Sequence, residues 1–475
     1  QGAETSAAEE KSWLAACAEF RVEKPEDFRE LPPASHKQFR EEIPLANSIP
    51  EPPKLGTLAF LLPLLEHLDA SSREPQALVL CQSRELAFQI ARVAHSYADG
   101  HKFSGIEWHM EAKGRVLDRG RWGYADAQAK SDIPDGALYR IFSMTKPITT
   151  VAAMILYEEG AFHLGEPVTK YLPALEGMSL LVDGQLVAPN NTMTIEQLMT
   201  HTAGLTNGWH VEHPVERAYR DAALQNSPDL DAFIQNLGTL PLRFEPGTRY
   251  HYSVATDVLG ALGERLSGQT LEQFFHERIF EPLGMRDTYF NVPAEKAGRL
   301  ARNHLWDAKS QQVVPMPDGL IPSPSGVTLF SGGSGLISTA KDYWRFCEML
   351  RRGGHLDGIR ILGPKTVQAM TMARLTPEVR DNGATEYPAS HLYPGQSYGL
   401  GFGVITDPAQ SQVISSQGEY SWGGIANTKF WIDPEEDLVV ILMAQVIGAP
   451  YSDRLRFDLK VATYQALSTL GASSP

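Results

Sequence analysis

The stretch that decides the fold is Phe142-Ser143-Met144-Thr145-Lys146-Pro147. It opens an apolar, helix-patterned run that ends at Tyr157-Glu158-Glu159-Gly160. Serine is a good N-cap, and proline is tolerated only in a first helical turn, so Ser143 is predicted to cap a helix at its start. Residues three apart share a helix face, which brings the Lys146 amine within reach of the Ser143 hydroxyl. Near neutral pH a serine is a poor nucleophile without a proton acceptor. A lysine accepts protons only if burial and nearby positive potential lower its pKa from ~10.4 by several units. A helix N-terminus supplies such potential and favours a developing alkoxide. The spacing alone leaves a plainer reading open: a helix cap followed by a solvated lysine.

Further segments follow in order. They are Gln197-Leu198-Met199-Thr200-His201-Thr202-Ala203-Gly204-Leu205; Phe244-Glu245-Pro246-Gly247-Thr248-Arg249-Tyr250-His251-Tyr252-Ser253; and Ser334-Gly335-Leu336-Ile337-Ser338-Thr339-Ala340 with Asp342. Together with Ser143-Met144-Thr145-Lys146 they resemble the motifs of the serine β-lactamase and penicillin-binding protein superfamily. The resemblance is closest to class C β-lactamases and family VIII carboxylesterases, and it runs from about residue 85 to 470. It implies an α+β fold: an antiparallel sheet flanked by helices, with an inserted, mainly helical domain. The implied division is 1–84 as an N-terminal extension, 85–139 with 321–475 as the sheet domain, and 140–320 as the helical domain. By the same resemblance Tyr252 is the second member of a proton relay with Lys146, while Tyr250 is a rival placed two residues away.

The superfamily's third motif is usually K-T-G or H-T-G; here its best candidate is Trp422-Gly423-Gly424-Ile425. Tryptophan cannot offer a lysine's charge, only apolar surface and one N–H donor. The paired glycines permit close backbone approach. Carried over, the backbone amides of Ser143 and Ile425 would form an oxyanion hole, each donor typically worth ~3 kcal/mol in the transition state. Tyr252-Ser253-Val254 also lacks the asparagine of the β-lactamase Y-x-N. Both departures point to neutral esters of short-to-medium acyl chains over carboxylated lactams. Acyl transfer, β-lactam or D-Ala-D-Ala cleavage, and a non-catalytic scaffold with this fold are the alternatives.

Asp257 is expected either to orient the site or to start a helix, and Trp209 and Tyr219 to wall the acyl pocket. His201 reads as a loop organiser. His210 and His213 fit no zinc spacing, and no metal or other cofactor is expected. Gly395-Gln396-Ser397-Tyr398-Gly399 fits a nucleophile elbow, but no helix-patterned run follows it.

Working outward, IEWHMEA (106–112) and RVLDRGRWGYA (115–125), split by Lys113-Gly114, read as a hairpin. YGLGFGVI (398–405) and QVISSQGEY (412–420) read as strands. IANTKFWID and LVVILMAQ pair across a turn at 434–437, and a closing helix is expected over 453–470. Of 475 residues 43% are hydrophobic, enough for a large core. Lys+Arg less Asp+Glu, 42 − 57 = −15, disfavours nucleic acid and anionic membranes as partners. No run reaches the ~18 apolar residues of a membrane helix. Cys17, Cys81 and Cys347 are too few and too scattered for a disulfide framework, which fits a cytoplasmic location. Residues 1–54 are polar and proline-punctuated. Residues 55–98, carrying Ser83-Arg84-Glu85-Leu86-Ala87-Phe88-Gln89-Ile90, resemble a fragment of a DEAD-box helicase. Neither its phosphate-binding loop nor its Asp-Glu-Ala-Asp motif is present, so no ATP chemistry is expected. A small ester is the expected partner; the sequence does not fix the oligomeric state.

Overall fold

Residues 438–444, Leu-Val-Val-Ile-Leu-Met-Ala, are all buried. An unbroken apolar run rich in β-branched residues suits a strand covered on both faces. In the computed structural model, which describes residue 93, residues 102–383 and residues 392–467, that run is the middle of an eight-stranded sheet. The strands are β1 (Gly105–Ala112), β2 (Arg115–Asp126), β3 (Ser131–Asp132), β4 (Gln396–Tyr398), β5 (Gly403–Ile405), β6 (Tyr420–Gly423), β7 (Lys429–Asp433) and β8 (Leu438–Ala444). Their order across the sheet is β4-β5-β6-β7-β8-β1-β2-β3, and every pairing is antiparallel. All belong to the unit of residues 85–475. The expected extension over 1–84 and the helicase-like run at 83–90 lie outside the described residues.

Five helices matter for the site: α1 (Thr145–Glu158), α2 (Pro214–Asp221), α3 (Ala255–Ser267), α4 (Ala340–Arg351) and α5 (Ser452–Gln465). Side chains alternate across a strand, so β8 feeds two cores. Val439, Ile441 and Met443 pack with Phe430, Ile432 and the α4 residues Tyr343 and Phe346. Leu438, Val440 and Leu442 pack with Trp108, Met110, Trp431 and the α5 residues Leu455 and Leu459. Each such side chain contributes roughly 1.5–3 kcal/mol by leaving water. Helices on both faces follow from that alternation.

The β1–β2 hairpin turns at Lys113 (φ 52°) and Gly114 (φ 69°), the pair of positive φ angles that a two-residue type I′ turn requires. β7 and β8 pair from Asp433 with Leu438, leaving residues 434–437 as the turn.

Three strand and helix boundaries differ from expectation. YGLGFGVI is two strands, β4 and β5, because Gly401 (φ 85°) turns the chain between them. Most of QVISSQGEY is loop: Ser411 and Ser415 hydrogen-bond the Val413 carbonyl, Gly418 sits at φ 85°, and only Tyr420 joins β6. Serines that satisfy neighbouring backbone compete with ladder formation. The closing helix stops at Gln465 rather than 470, and residues beyond 467 are outside the described set.

α1 is buried continuously from Thr145 to Leu156, so it is a central helix rather than a surface one. It packs on α3. The segment 331–336 lies against both: Thr149 Oγ1 donates to the Gly332 carbonyl at 2.6 Å, and a Cβ at Gly332 would come within 2.8 Å of the Thr256 carbonyl. Among the described residues no helix is long and apolar enough to cross a membrane.

Candidate active site

Ser143 does not cap α1. It sits inside a 3-10 turn, Phe142–Met144, that precedes the helix, and no side-chain cap bond forms there. Phe142 is held at φ 44°, a left-handed conformation disfavoured for a bulky residue. Neighbouring groups pin the turn. Tyr343 Oη donates to the Met144 carbonyl at 2.8 Å, the Leu336 N–H to Thr145 Oγ1 at 3.1 Å, and the Ile141 N–H to the Leu336 carbonyl at 3.1 Å. Strain of this kind persists only where the surroundings over-determine it. The hydroxyl freed from capping faces a cavity of about 880 Å³.

Lys146, one turn deeper, is buried, and its Nζ stands 3.4 Å from Ser143 Oγ. The same Nζ donates to the Gly333 carbonyl at 2.8 Å and lies 4.5 Å from the centre of the Tyr252 ring. The lysine is therefore aimed at the serine and the phenol, not at bulk water. Tyr252 comes from the segment just before α3. Bonds from the preceding loop hold that segment: the His251 N–H donates to the His201 carbonyl at 2.8 Å, and Asn207 Nδ2 to the Tyr252 carbonyl at 3.0 Å. Tyr252 lines the cavity; Tyr250 is fully buried behind it.

Asp257 lies in the first turn of α3 and also reaches the site. Its Oδ1 accepts from Ser331 Oγ at 2.5 Å and from the Gly333 N–H at 3.1 Å. The Gly333 peptide thus bridges Asp257 and Lys146. Burial raises the Asp257 carboxyl above the usual aspartate range, opposed by the Lys146 charge and the bonds it accepts. A Cβ at Gly333 would stand 2.6 Å from Asp257 Oδ2, so any side chain there would have to displace that carboxylate.

The opposite wall is the end of β6. Trp422 lies 5.5 Å from Tyr252 and 5.0 Å from Tyr398, ring to ring. Its Nε1 has no hydrogen-bond partner among the described residues. At Gly424 a Cβ would meet the Ile141 carbonyl at 2.6 Å and Thr428 Oγ1 at 2.3 Å. Thr428 Oγ1 itself donates to that carbonyl at 3.2 Å. β6 therefore closes directly onto the backbone that leads into Ser143, carrying Ile425 to the cavity wall.

Ser143, Lys146, Tyr252, Asp257, Trp209, Tyr219, Trp422, Gly423, Gly424 and Ile425 all line the one cavity. His201 lies behind it, buried, with its ring 4.6 Å from that of Tyr252. Ser397 is elsewhere in kind: a buried residue on β4, whose chain turns into β5 and not into a helix. His213 caps α2, its Nδ1 accepting the Val215 N–H at 3.2 Å. No cluster of His, Cys, Asp or Glu among the described residues could hold a metal. Sequence reasoning missed Gly333 and Thr428. Gly332-Gly333 before a matched motif was a usable signal, since paired glycines mark close approach. Thr428 acts through its bond to the distant Ile141 carbonyl, and nothing local marks it.

Comparison with known proteins agrees with this fold. The family described as Beta-lactamase matches residues 90–463. Esterase EstB of Burkholderia gladioli is 30% identical over 418 residues, 84% of this chain and 100% of that relative. Monacolin J acid methylbutanoyltransferase of Aspergillus terreus is 29% identical over 340 residues, 67% of this chain and 79% of that relative. Among solved structures, EstCE1, a hydrolase with promiscuous acyltransferase activity, superposes with a TM-score of 0.70 at 27% identity, covering 80% of this chain and 99% of its own.

Proposed function

The chain belongs to the beta-lactamase family, and from that premise we propose that it is a carboxylesterase-type serine hydrolase working through an acyl-enzyme on Ser143. The observation that carries this reading is the approach of Lys146 Nζ to Ser143 Oγ, 3.4 Å, over the ring of Tyr252. Lys146 and Tyr252 take the serine proton as Oγ attacks the ester carbonyl, and Tyr252 returns it to the leaving alcohol. The Ser143 and Ile425 amides receive the oxyanion. Water then attacks the acyl-enzyme, and the same groups run in reverse. Asp257 acts at one remove by holding the Gly333 peptide that positions Lys146. Trp422, Trp209 and Tyr219 supply apolar walls suited to acyl chains of short-to-medium length.

A second reading, transfer of the acyl group to an alcohol other than water, is favoured by the acyltransferase among the relatives. One panel tests both: nitrophenyl esters of increasing acyl length and nitrocefin, with and without an added alcohol, on the unaltered chain and on Ser143→Ala. Ester turnover that vanishes in Ser143→Ala is expected. New ester formed with the added alcohol would favour transfer. Turnover that survives Ser143→Ala would overturn the assignment.

A further inference from the structure

Strand alternation turns Ser421 away from Trp422 and toward α5. There, between β6, β7 and α5, lies a second and smaller cavity of about 50 Å³. Ser421, Lys429 and Trp431 reach it from the strands, and Arg456 and Lys460 from the helix. A cavity needs only ~10–15 Å³ to hold one water, so this one admits a small ion and excludes an ester. Its wall holds three cations, Lys429, Arg456 and Lys460, against one carboxylate, Glu419.

Two of the cations are paired. Lys460 stands 2.6 Å from Glu419, which also accepts from Tyr464 Oη at 2.8 Å, and Asp433 shares that hydroxyl. Arg456 stands 3.7 Å from Asp453, which accepts from Tyr393 Oη at 3.0 Å, and Arg456 Nη2 donates to the Gly424 carbonyl at 3.1 Å. Lys429 has no carboxylate partner among the described residues. Its Nζ donates to the neutral Ser421 Oγ at 3.1 Å, and Ser421 lines this cavity but not the larger one. A buried ammonium without a counter-charge is costly. Further donors are at hand: Arg456 Nε and Trp431 Nε1 are buried with no acceptor among the described residues. A Cβ on Gly423 would lie 3.3 Å from Lys429 Cδ and 3.8 Å from Arg456 Nη2, so the two cationic side chains run close together.

We propose that the smaller cavity binds one small inorganic anion of single charge, of halide or nitrate size, on the Lys429 ammonium, with Arg456 Nε and Trp431 Nε1 as further donors. One negative charge is what the wall lacks: with Lys460 matched to Glu419 and Arg456 to Asp453, Lys429 remains. The bound ion fastens α5 to β6 and β7, and its binding does not depend on the reaction in the larger cavity. Burial, with Arg456 and Lys460 close by, pushes the Lys429 ammonium down to about 7; Glu419 and Asp453 pull the other way. An arriving anion favours the protonated amine. Binding is therefore fullest below pH 7 and weakens as the pH climbs above it.

Two measurements on the full chain test this with bromide as the probe. Crystals of the unaltered protein soaked in sodium bromide, measured at the bromine absorption edge, are expected to show an anomalous peak at the Lys429 ammonium inside the smaller cavity. In solution at pH 6.5, sodium bromide replaces sodium gluconate, whose anion is too large for the cavity, at constant ionic strength. Tm should rise by roughly 2–4 °C and then saturate. The rise should fade by pH 9 and be absent from Lys429→Met. No peak at Lys429, no saturable rise at pH 6.5, or a rise as large at pH 9 or in Lys429→Met would overturn the inference. Should Lys429→Met misfold, the bromide peak in the unaltered chain decides alone.

Discussion

The two walls of the cavity are built on different principles. On the α1 side, Ser143 and Lys146 are three residues apart in one turn, and buried polar contacts from Tyr343, Leu336 and Gly333 hold them. On the β6–β7 side, Trp422, Gly424 and Thr428 are set by ladder register and by backbone pressed against backbone. The first wall is suited to chemistry, because its groups cannot drift apart. The second is suited to choosing substrates, because each strand offers a fresh side chain at the same rim. Substitutions on the first should therefore strike kcat, and those on the second should shift discrimination.

The largest break is Ser143→Ala, expected to lower p-nitrophenyl butyrate turnover by at least about 10⁴-fold. Ser397→Ala, on buried β4, should stay within a few-fold of the unaltered chain. Steady-state rates on the two variants separate the serines. Next comes Tyr252→Phe. Loss of the proton relay should cost about 10²–10⁴-fold in kcat with KM little changed. Tyr250→Phe, behind the cavity wall, should change kcat only a few-fold. The reverse ranking would hand the relay to Tyr250.

Gly424→Ala tests the joint between the walls. Its Cβ would stand 2.6 Å from the Ile141 carbonyl, forcing β6 away from Ser143. A fall in kcat of about 10²-fold, the cost of one oxyanion donor, is expected while the protein still melts cooperatively. An unchanged kcat would mean that Ile425 is no part of the hole. The smallest effect belongs to Trp422→Phe, which keeps an aromatic ring against Tyr252 and Tyr398. KM for longer acyl chains should rise a few-fold and kcat should hold, read from a series of nitrophenyl esters.

The same contrast explains what could be read in advance. The sheet was legible because β8 is apolar throughout and Lys113-Gly114 names its own turn. The α1 wall was legible because i, i+3 spacing is a local property of a helix. Even there the role of Ser143 differs in detail: tertiary contacts impose a strained turn ahead of the helix, and the serine caps nothing. Thr428 was not legible. Its meaning depends on meeting the Ile141 carbonyl, a relation that does not exist along the chain. The loop over 412–419 misled for a related reason, since serines that bond nearby carbonyls cancel a strand-like pattern.

The central claim is that Ser143 becomes acylated. Rapid quenching with p-nitrophenyl butyrate, followed by intact and tandem mass spectrometry, reads it directly. A butyryl mass on the peptide that contains Ser143, absent from Ser143→Ala, is the result expected. A butyryl group on Ser397 or any other side chain, with turnover intact in Ser143→Ala, would contradict it.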